Sequence, residues 1–99
     1  MAVWRLRSRA EQDIRDIAAY TEREWGVVLR RAYLKEIETR FDDLAANPYL
    51  GVARDDVRIG YRSSHIGRHV VFYRQQGDGI DIVRVLHDRM DALRQFPSG

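Results

Sequence analysis

The segment 67–91, GRHVVFYRQQGDGIDIVRVLHDRMD, constrains the fold of this chain more than any other. It contains two apolar, strand-like runs separated by Gly77-Asp78-Gly79, a combination that favours a tight turn. Strands joined by so short a turn must pair antiparallel. The second run is apolar at both odd and even positions, which is typical of a strand covered on both faces. We therefore expect a hairpin whose second strand is central in a sheet.

Two amphipathic helices are predicted ahead of this hairpin. Ser8 and Glu11 form the S-x-x-E pattern of a capping box, so Ser8 should be the N-cap of the first helix. Gly26 should end this helix, because glycine adopts the left-handed conformation without a Cβ clash. Asn47-Pro48 should end the second helix, which runs from about Val27 to Ala46. The apolar stripes consist of Ala10, Ile14, Ile17, Ala18, Thr21 and Trp25 in the first helix and of Leu29, Tyr33, Ile37, Phe41, Leu44 and Ala45 in the second.

The predicted order of elements is β-α-α-β-β-β. Residues 3–7 (VWRLR) alternate as a short strand does, residues 49–57 should form a loop, and residues 88–95 should form a last helical turn. The final three strands should cover residues 59–66, 68–75 and 80–87. Both helical stripes need an apolar partner, so we predict an α+β fold with a helical hairpin packed on one face of a small, mainly antiparallel sheet. The length of 99 residues corresponds to a single domain, residues 1–99.

The composition excludes several kinds of site. The absence of cysteine excludes disulfides, thiolate zinc sites and a cysteine nucleophile, and it fits a cytoplasmic protein. No run approaches the ~20 apolar residues needed to span a bilayer, so we expect no membrane association. His65 and His69 could meet across a turn, but no carboxylate lies between residues 57 and 77 to complete a metal site with them and His87. No glycine-rich nucleotide motif occurs, and we predict no metal and no cofactor.

The charge distribution predicts a surface for an acidic partner. The net charge is only +2, but residues 57–77 contain no acid while they hold four arginines and two histidines. Sixteen of the seventeen basic residues are arginine, whose planar guanidinium can bind a carboxylate or a phosphate through two hydrogen bonds. A GC-rich genome also enriches arginine, and a basic face can be merely solvated with intramolecular partners. We favour a partner because acids are absent from 21 consecutive residues.

Six segments spread over nearly the whole chain form an ordered set of motifs. They are AEQDIRDIAAYTEREWG at residues 10–26, the helix at 33–41, LAANPYLG at 44–51, VRIGYR at 57–62, GRHVVFYR at 67–74 and IDIVRVLHDRMD at 80–91. The set resembles the ParE branch of the RelE/ParE toxin superfamily. The resemblance implies the toxin of a type II toxin–antitoxin module, which inhibits DNA gyrase by binding. It also implies neutralisation by a cognate ParD-like antitoxin, with operator DNA contacted only through that antitoxin.

The candidate binding residues lie on the strands and just after the last strand. The residues that we predict to contact antitoxin or target are Arg58, Tyr61, Arg62, Arg68, His69, Tyr73, Arg74, Arg84, His87, Arg89 and Met90. If the helices cover one face of the sheet, the other face and the sheet edge remain available. An antitoxin tail could bind there as an added strand or as an amphipathic helix.

A catalytic alternative follows from the other branch of the superfamily, which cleaves mRNA on the ribosome. The chain holds residue types that such chemistry needs, namely an acid or base (His87), cations (Arg68, Arg84 and Arg89) and a proton donor (Tyr73). Each also has a structural interpretation, because Arg84 could pair with an acid such as Asp81 or Asp88, the Tyr73 ring could be core, and His87 could simply end a strand. We therefore predict binding without catalysis. A third alternative is a degenerate toxin that acts only in antitoxin binding and operon autoregulation.

Overall fold

The computed structural model describes residues 3–96 as five strands and three helices. The strands are β1 (Trp4–Leu6), β2 (Val52–Ala53), β3 (Tyr61–Ile66), β4 (His69–Gln76) and β5 (Gly79–His87). The helices are α1 (Ser8–Trp25), α2 (Val27–Ala46) and α3 (Ala92–Gln95), and a 3₁₀ turn at Pro48–Leu50 follows α2. The predicted α+β class is confirmed, while the ends of the predicted domain, residues 1, 2 and 97–99, lie outside the described residues.

The sheet has the strand order β1-β5-β4-β3-β2. β1 runs parallel to β5, and every other neighbouring pair is antiparallel, so the mainly antiparallel sheet is confirmed. The predicted central position of β5 is also confirmed, because the strand lies between β1 and β4 and is buried from its first residue to Leu86. A bulge interrupts its register with β4: Phe72 pairs with Arg84 and Tyr73 with Ile82. The extra residue shifts the alternation of β5, which explains why the strand is apolar at both parities.

The main core lies between the sheet and the helical hairpin. The strand residues buried on this side are Ile66, Val71, Tyr73, Ile80, Ile82 and Val85. Ile37 and Phe41 of α2 and Ile17 of α1 pack against them. Trp4 secures β1 to α2, because its ring meets Phe41 edge-on at 5.0 Å and its Nε1 donates to Asp42 at 2.8 Å. None of the helices within residues 3–96 has the length and apolar character that crossing a membrane requires.

The outer face of the sheet is partly covered by the C-terminal segment. A second cluster consists of Tyr61, Phe72, Val83 and Leu86, with Ala92 and Phe96 packed against it. The ring of Phe96 meets Tyr61 at 5.6 Å and Phe72 at 5.2 Å, both edge-on. The expectation that this face remains available was therefore wrong in part, because the segment 92–96 packs over it.

Three local predictions were also wrong. Ser8 is the first helical residue rather than the N-cap, and Arg7, which occupies the N-cap, makes no capping hydrogen bond with its side chain. The reason is that the Arg7 backbone N–H still bonds to Ile82, at 3.0 Å, so the chain leaves the sheet directly into the helix. Residues 49–57 are not only loop, since Val52–Ala53 forms the edge strand beside β3. Trp25 and Leu29 are 66% and 50% exposed, because the hairpin buries its stripes only away from its tip.

Gly26 joins the two helices in a conformation that other residues avoid. Its φ is 92°, positive as predicted, but its ψ of 171° is extended rather than left-handed helical. This region of φ and ψ is essentially restricted to glycine.

Replacing Gly26 with alanine should lower the free energy of unfolding by about 1–3 kcal/mol through backbone strain alone, since no atom lies within 4 Å of the new Cβ. Val28→Ala, at a position that is 79% exposed on the adjoining helix, is the control and should change stability by less than about 0.5 kcal/mol. Urea unfolding of both variants measures the difference. Equal midpoints for the two would contradict the strain at Gly26.

Candidate functional site

Arg84 is held inside the protein by an acid of α1. It is 7% exposed, and its Nε and Nη2 donate to the two carboxylate oxygens of Asp13 at 2.8 and 3.0 Å. The backbone N–H of Val85 donates to the same carboxylate at 2.9 Å. The structural interpretation of Arg84 as an ion-paired residue is confirmed, although the acid is Asp13 and not Asp81 or Asp88. This placement gives no support to a direct contact between Arg84 and a partner.

The side chain of Tyr73 is also part of the protein interior. Its ring is fully buried, as the structural interpretation required. Its hydroxyl donates to the carbonyl oxygen of Pro48 at 2.6 Å and accepts from the backbone N–H of Gly51 at 2.9 Å. The hydroxyl is therefore engaged in fixing the segment after α2 to the sheet.

Arg58, Tyr61 and Arg62 lie around the segment that leads into β3. Arg62 donates to the carbonyl oxygen of Gly51 at 2.6 Å, and its guanidinium lies 5.2 Å from the centre of the Tyr49 ring. The guanidinium of Arg58 lies 5.7 Å from the centre of the Tyr61 ring, and Tyr61 itself is buried. Arg62 is thus tied to its own chain, and Arg58 lies at an exposed position beside Tyr61.

Five further candidates meet where β4 begins and β5 ends, and we call Arg68, His69, His87, Arg89 and Met90 the strand-end cluster. Arg74 lies near the other end of β4 and donates to Asp81 at 3.3 Å. His69 and His87 are paired across the two strands, and their rings meet edge-on at 5.4 Å. His87 Nδ1 accepts from the backbone N–H of Arg89 at 3.1 Å. The side chains of Arg68, Arg89 and Met90 are exposed. The cluster presents two guanidiniums and an apolar side chain to a partner.

A tyrosine of α2, Tyr33, contacts this cluster through its hydroxyl group. The Tyr33 hydroxyl lies 2.7 Å from His69 Nδ1 and accepts from the backbone N–H of Arg68 at 3.3 Å. Burial raises the pKa of Tyr33, so its hydroxyl stays protonated. Burial also lowers the pKa of His69, and the neighbouring His87 lowers it further against the opposing charges of Asp88 and Asp13. His69 is therefore a neutral, positioned side chain at neutral pH.

The arrangement is suited to binding rather than to holding a metal. Among residues 3–96, no group of three or more histidine, aspartate or glutamate side chains is placed to hold a metal ion. His65 does reach Asp88, at 3.4 Å, but both side chains are largely exposed. A cleft beside the strand-end cluster is lined by Arg54, Val70, Phe72, Leu86, His87, Asp88, Met90, Asp91 and Ala92.

Sequence reasoning missed Asp13 and Tyr33 as functional supports. Asp13 is 71 residues away from Arg84, so no local spacing connects them. One signal was available: Asp13 precedes Ile14 of the apolar stripe, so it sits at the border of the buried side of α1. Tyr33 belongs to the apolar stripe of α2, and a stripe does not indicate that a hydroxyl group reaches the strand ends.

Known proteins identify the family. The family model described as "ParE toxin of type II toxin-antitoxin system, parDE" matches residues 4–92. The chain belongs to the ParE toxin family. Toxin ParE1 of Mycobacterium tuberculosis is 44% identical over 92 residues, which cover 92% of this chain and 94% of that toxin. Toxin ParE1 of Caulobacter vibrioides is 40% identical over 92 residues, which cover 93% of this chain and 95% of that toxin.

A solved structure supports the fold of this ParE toxin. A chain from a structure described as "Chromosomal ParDE TA system from P. aeruginosa" superposes with a TM-score of 0.73 and 18% sequence identity. The match covers 88% of this chain and 96% of that chain. At this identity the likeness shows the fold alone, and the predicted membership of the ParE branch rests on the sequence matches.

Asp13→Ala should destabilise this ParE toxin by about 3–5 kcal/mol, because it leaves the Arg84 guanidinium buried without a counter-charge. Glu22→Ala is the control, since it removes one partner of a more exposed ion pair, with Arg30, and should cost less than about 1 kcal/mol. Thermal unfolding of both variants gives the comparison. A similar, small loss in both would mean that the buried pair contributes little.

His69 should make the folded protein less stable in mild acid. Its pKa is lowered in the folded state, so between the usual value of 6.5 and the folded value the unfolded chain binds more protons. Stability should therefore be fully present above about pH 6.5 and decline as the pH falls below it. His69→Gln should flatten this decline. Urea unfolding between pH 5 and 8 tests this, and identical slopes for wild type and His69→Gln would refute it.

Proposed function

We propose that this ParE toxin inhibits DNA gyrase by binding it, without catalysing a reaction, and that a ParD-like antitoxin neutralises it. Membership of the ParE family supports gyrase as the target. In this proposal the toxin acts in the cytoplasm, and the operator sequence is recognised only through the antitoxin.

The proposal that the toxin does not catalyse a reaction rests on one observation. Two of the catalytic candidates use their side chains for bonds inside the protein. Arg84 is buried and paired with Asp13 through Nε and Nη2, and the Tyr73 hydroxyl is bonded to two backbone groups after α2. An RNA-cleaving site would need a cation free to meet the phosphorane and a donor free to meet the leaving oxygen. With these two side chains engaged, the residues are better disposed for binding than for cleavage.

The strand-end cluster is the surface that we assign to the target. Arg68 and Arg89 are exposed there, and no ion pair with an acid is found for either among residues 3–96. Met90, which is 46% exposed, adds an adaptable apolar contact. Exposed cations around an apolar side chain suit a partner that is negatively charged at its rim.

A supercoiling assay combined with a cleavage-complex assay on purified gyrase tests the proposal. The wild-type toxin should inhibit supercoiling and accumulate cleaved DNA, and an equimolar amount of its antitoxin should relieve both effects. Reversing two charges in Arg68→Glu/Arg89→Glu should weaken inhibition by about tenfold or more, because like charges then oppose an acidic target. Arg31→Glu, at an exposed position on α2, is the matched control and should inhibit as wild type does.

Two other functions have distinct outcomes. A ribosome-dependent mRNA interferase would produce toxin-dependent cuts in primer extension on ribosome-bound mRNA, and His87→Ala would abolish them. A degenerate toxin would leave growth normal when it is induced without its antitoxin. Unaffected gyrase at a stoichiometric excess of folded toxin would overturn our proposal.

A further inference from the structure

A row of three charged residues and one tyrosine crosses the outer face of the sheet, away from the strand-end cluster. The strand registers align Arg5 with Asp81, Asp81 with Arg74, and Arg74 with Tyr61. The row therefore spans β1, β5, β4 and β3, a width of roughly 14 Å at about 4.8 Å per strand. Its first member points away from the helices, because Trp4 and Leu6 on either side pack into the helix-facing core.

Three guanidiniums converge on one carboxylate in this row. Asp81 accepts from Arg5 Nε at 3.2 Å, from Arg7 Nη1 at 3.4 Å and from Arg74 Nη2 at 3.3 Å. Burial raises the pKa of Asp81, but the hydrogen bonds from Arg5 and Arg74 outweigh it and lower the pKa below its usual value. The carboxylate is therefore ionised, and the group carries a net charge of about +2.

The carboxylate is buried, while the guanidiniums are accessible. The side chain of Asp81 is 9% exposed, whereas those of Arg5, Arg7 and Arg74 are 49%, 54% and 40% exposed. Each guanidinium has five N–H donors; among residues 3–96 a further hydrogen bond is found only for Arg5, from Nη2 to the carbonyl oxygen of Gln76 at 3.0 Å, while Nε of Arg74 is buried without a partner. The buried carboxylate of Asp81 thus orients three cations, and most of their N–H donors remain available to a ligand.

We propose that Arg5, Arg7 and Arg74 form a binding site for the phosphodiester backbone of a nucleic acid. Guanidiniums bind phosphate through paired hydrogen bonds, and backbone contacts need only accessible cations on a wet surface. An acidic peptide is the less suitable ligand, because tight protein interfaces draw most of their energy from a few well-packed, desolvated side chains, and the guanidiniums here are solvent-accessible. Tyr61, the aromatic member of the row, is already covered by Phe96 and by the guanidinium of Arg58. The site is independent of whether gyrase is the target.

Fluorescence anisotropy of a labelled 20-base-pair DNA duplex tests the site, with an RNA duplex of the same sequence as a second arm. If the net charge of about +2 neutralises phosphates, raising the salt from 50 to 200 mM should weaken duplex binding about 12-fold through this site alone. The remaining surface adds its own salt dependence to this component. Arg5→Gln/Arg7→Gln leaves only the neutral pair of Arg74 and Asp81, so this 12-fold component should vanish. If the double variant loses the same component with DNA and with RNA, the site recognises the phosphate groups alone. If the wild type binds one duplex more tightly, that nucleic acid is the ligand of the site.

Controls separate the site from general effects of charge and folding. Arg31→Gln removes an exposed arginine from α2, which packs on the opposite face of the sheet, and it should leave the 12-fold component intact. Arg7→Gln alone loses only one contact, at 3.4 Å, and should halve the salt slope of the site in a fully folded protein. The proposal is overturned if wild type does not bind either duplex at 50 mM salt, or if the double variant binds as wild type does. It is also overturned if oligoglutamate binds the wild type more tightly than either duplex does.

Discussion

The structure depends on how the edge of the central strand is closed. β1 ends at Leu6, so β5 loses its parallel neighbour after Ile82 although the strand continues to His87. An open edge of this kind would leave backbone groups unsatisfied and invite pairing with other chains. Asp13 satisfies part of this edge, because its carboxylate accepts hydrogen bonds from the backbone N–H of Val85 and from the guanidinium of Arg84. One acid thereby fixes α1 against the sheet and allows an arginine to be buried in the middle of the fold.

This closure decides which surfaces remain for function. The helical hairpin occupies one face of the sheet, and the segment that ends at Phe96 covers part of the other. The parts of the sheet that remain accessible include the strand ends and the outer side of β1. The arginine candidates fall into two groups accordingly: Arg84 is buried and paired inside the protein, whereas Arg68 and Arg89 are exposed. Burial, rather than residue type, separates structural arginines from those that a partner can reach.

The elements were predictable where a local pattern determines them, and unpredictable where distant contacts do. The boundary between α1 and α2 follows from Gly26, and the end of α2 follows from Asn47-Pro48, whose effects are confined to neighbouring residues. The strand Val52–Ala53 could not be predicted, because two exposed residues carry no periodicity and only their pairing with β3 defines them. The capping box failed for a related reason: a hydrogen bond from Arg7 to Ile82 outweighed a favourable local sequence.

The arginines illustrate the same limit for the candidate site. Their density between residues 57 and 77 indicated one basic surface, yet Arg62 is tied to Gly51 and Arg74 shares a buried carboxylate. The group that converges on Asp81 instead draws Arg5 from the other end of the sequence, outside the acid-free window. A charge count along the chain could not reveal this, because the parallel pairing of β1 with β5 brings residues 76 positions apart into contact. In a mixed sheet of this kind, the strand order determines the charge of a surface at least as strongly as the local composition does.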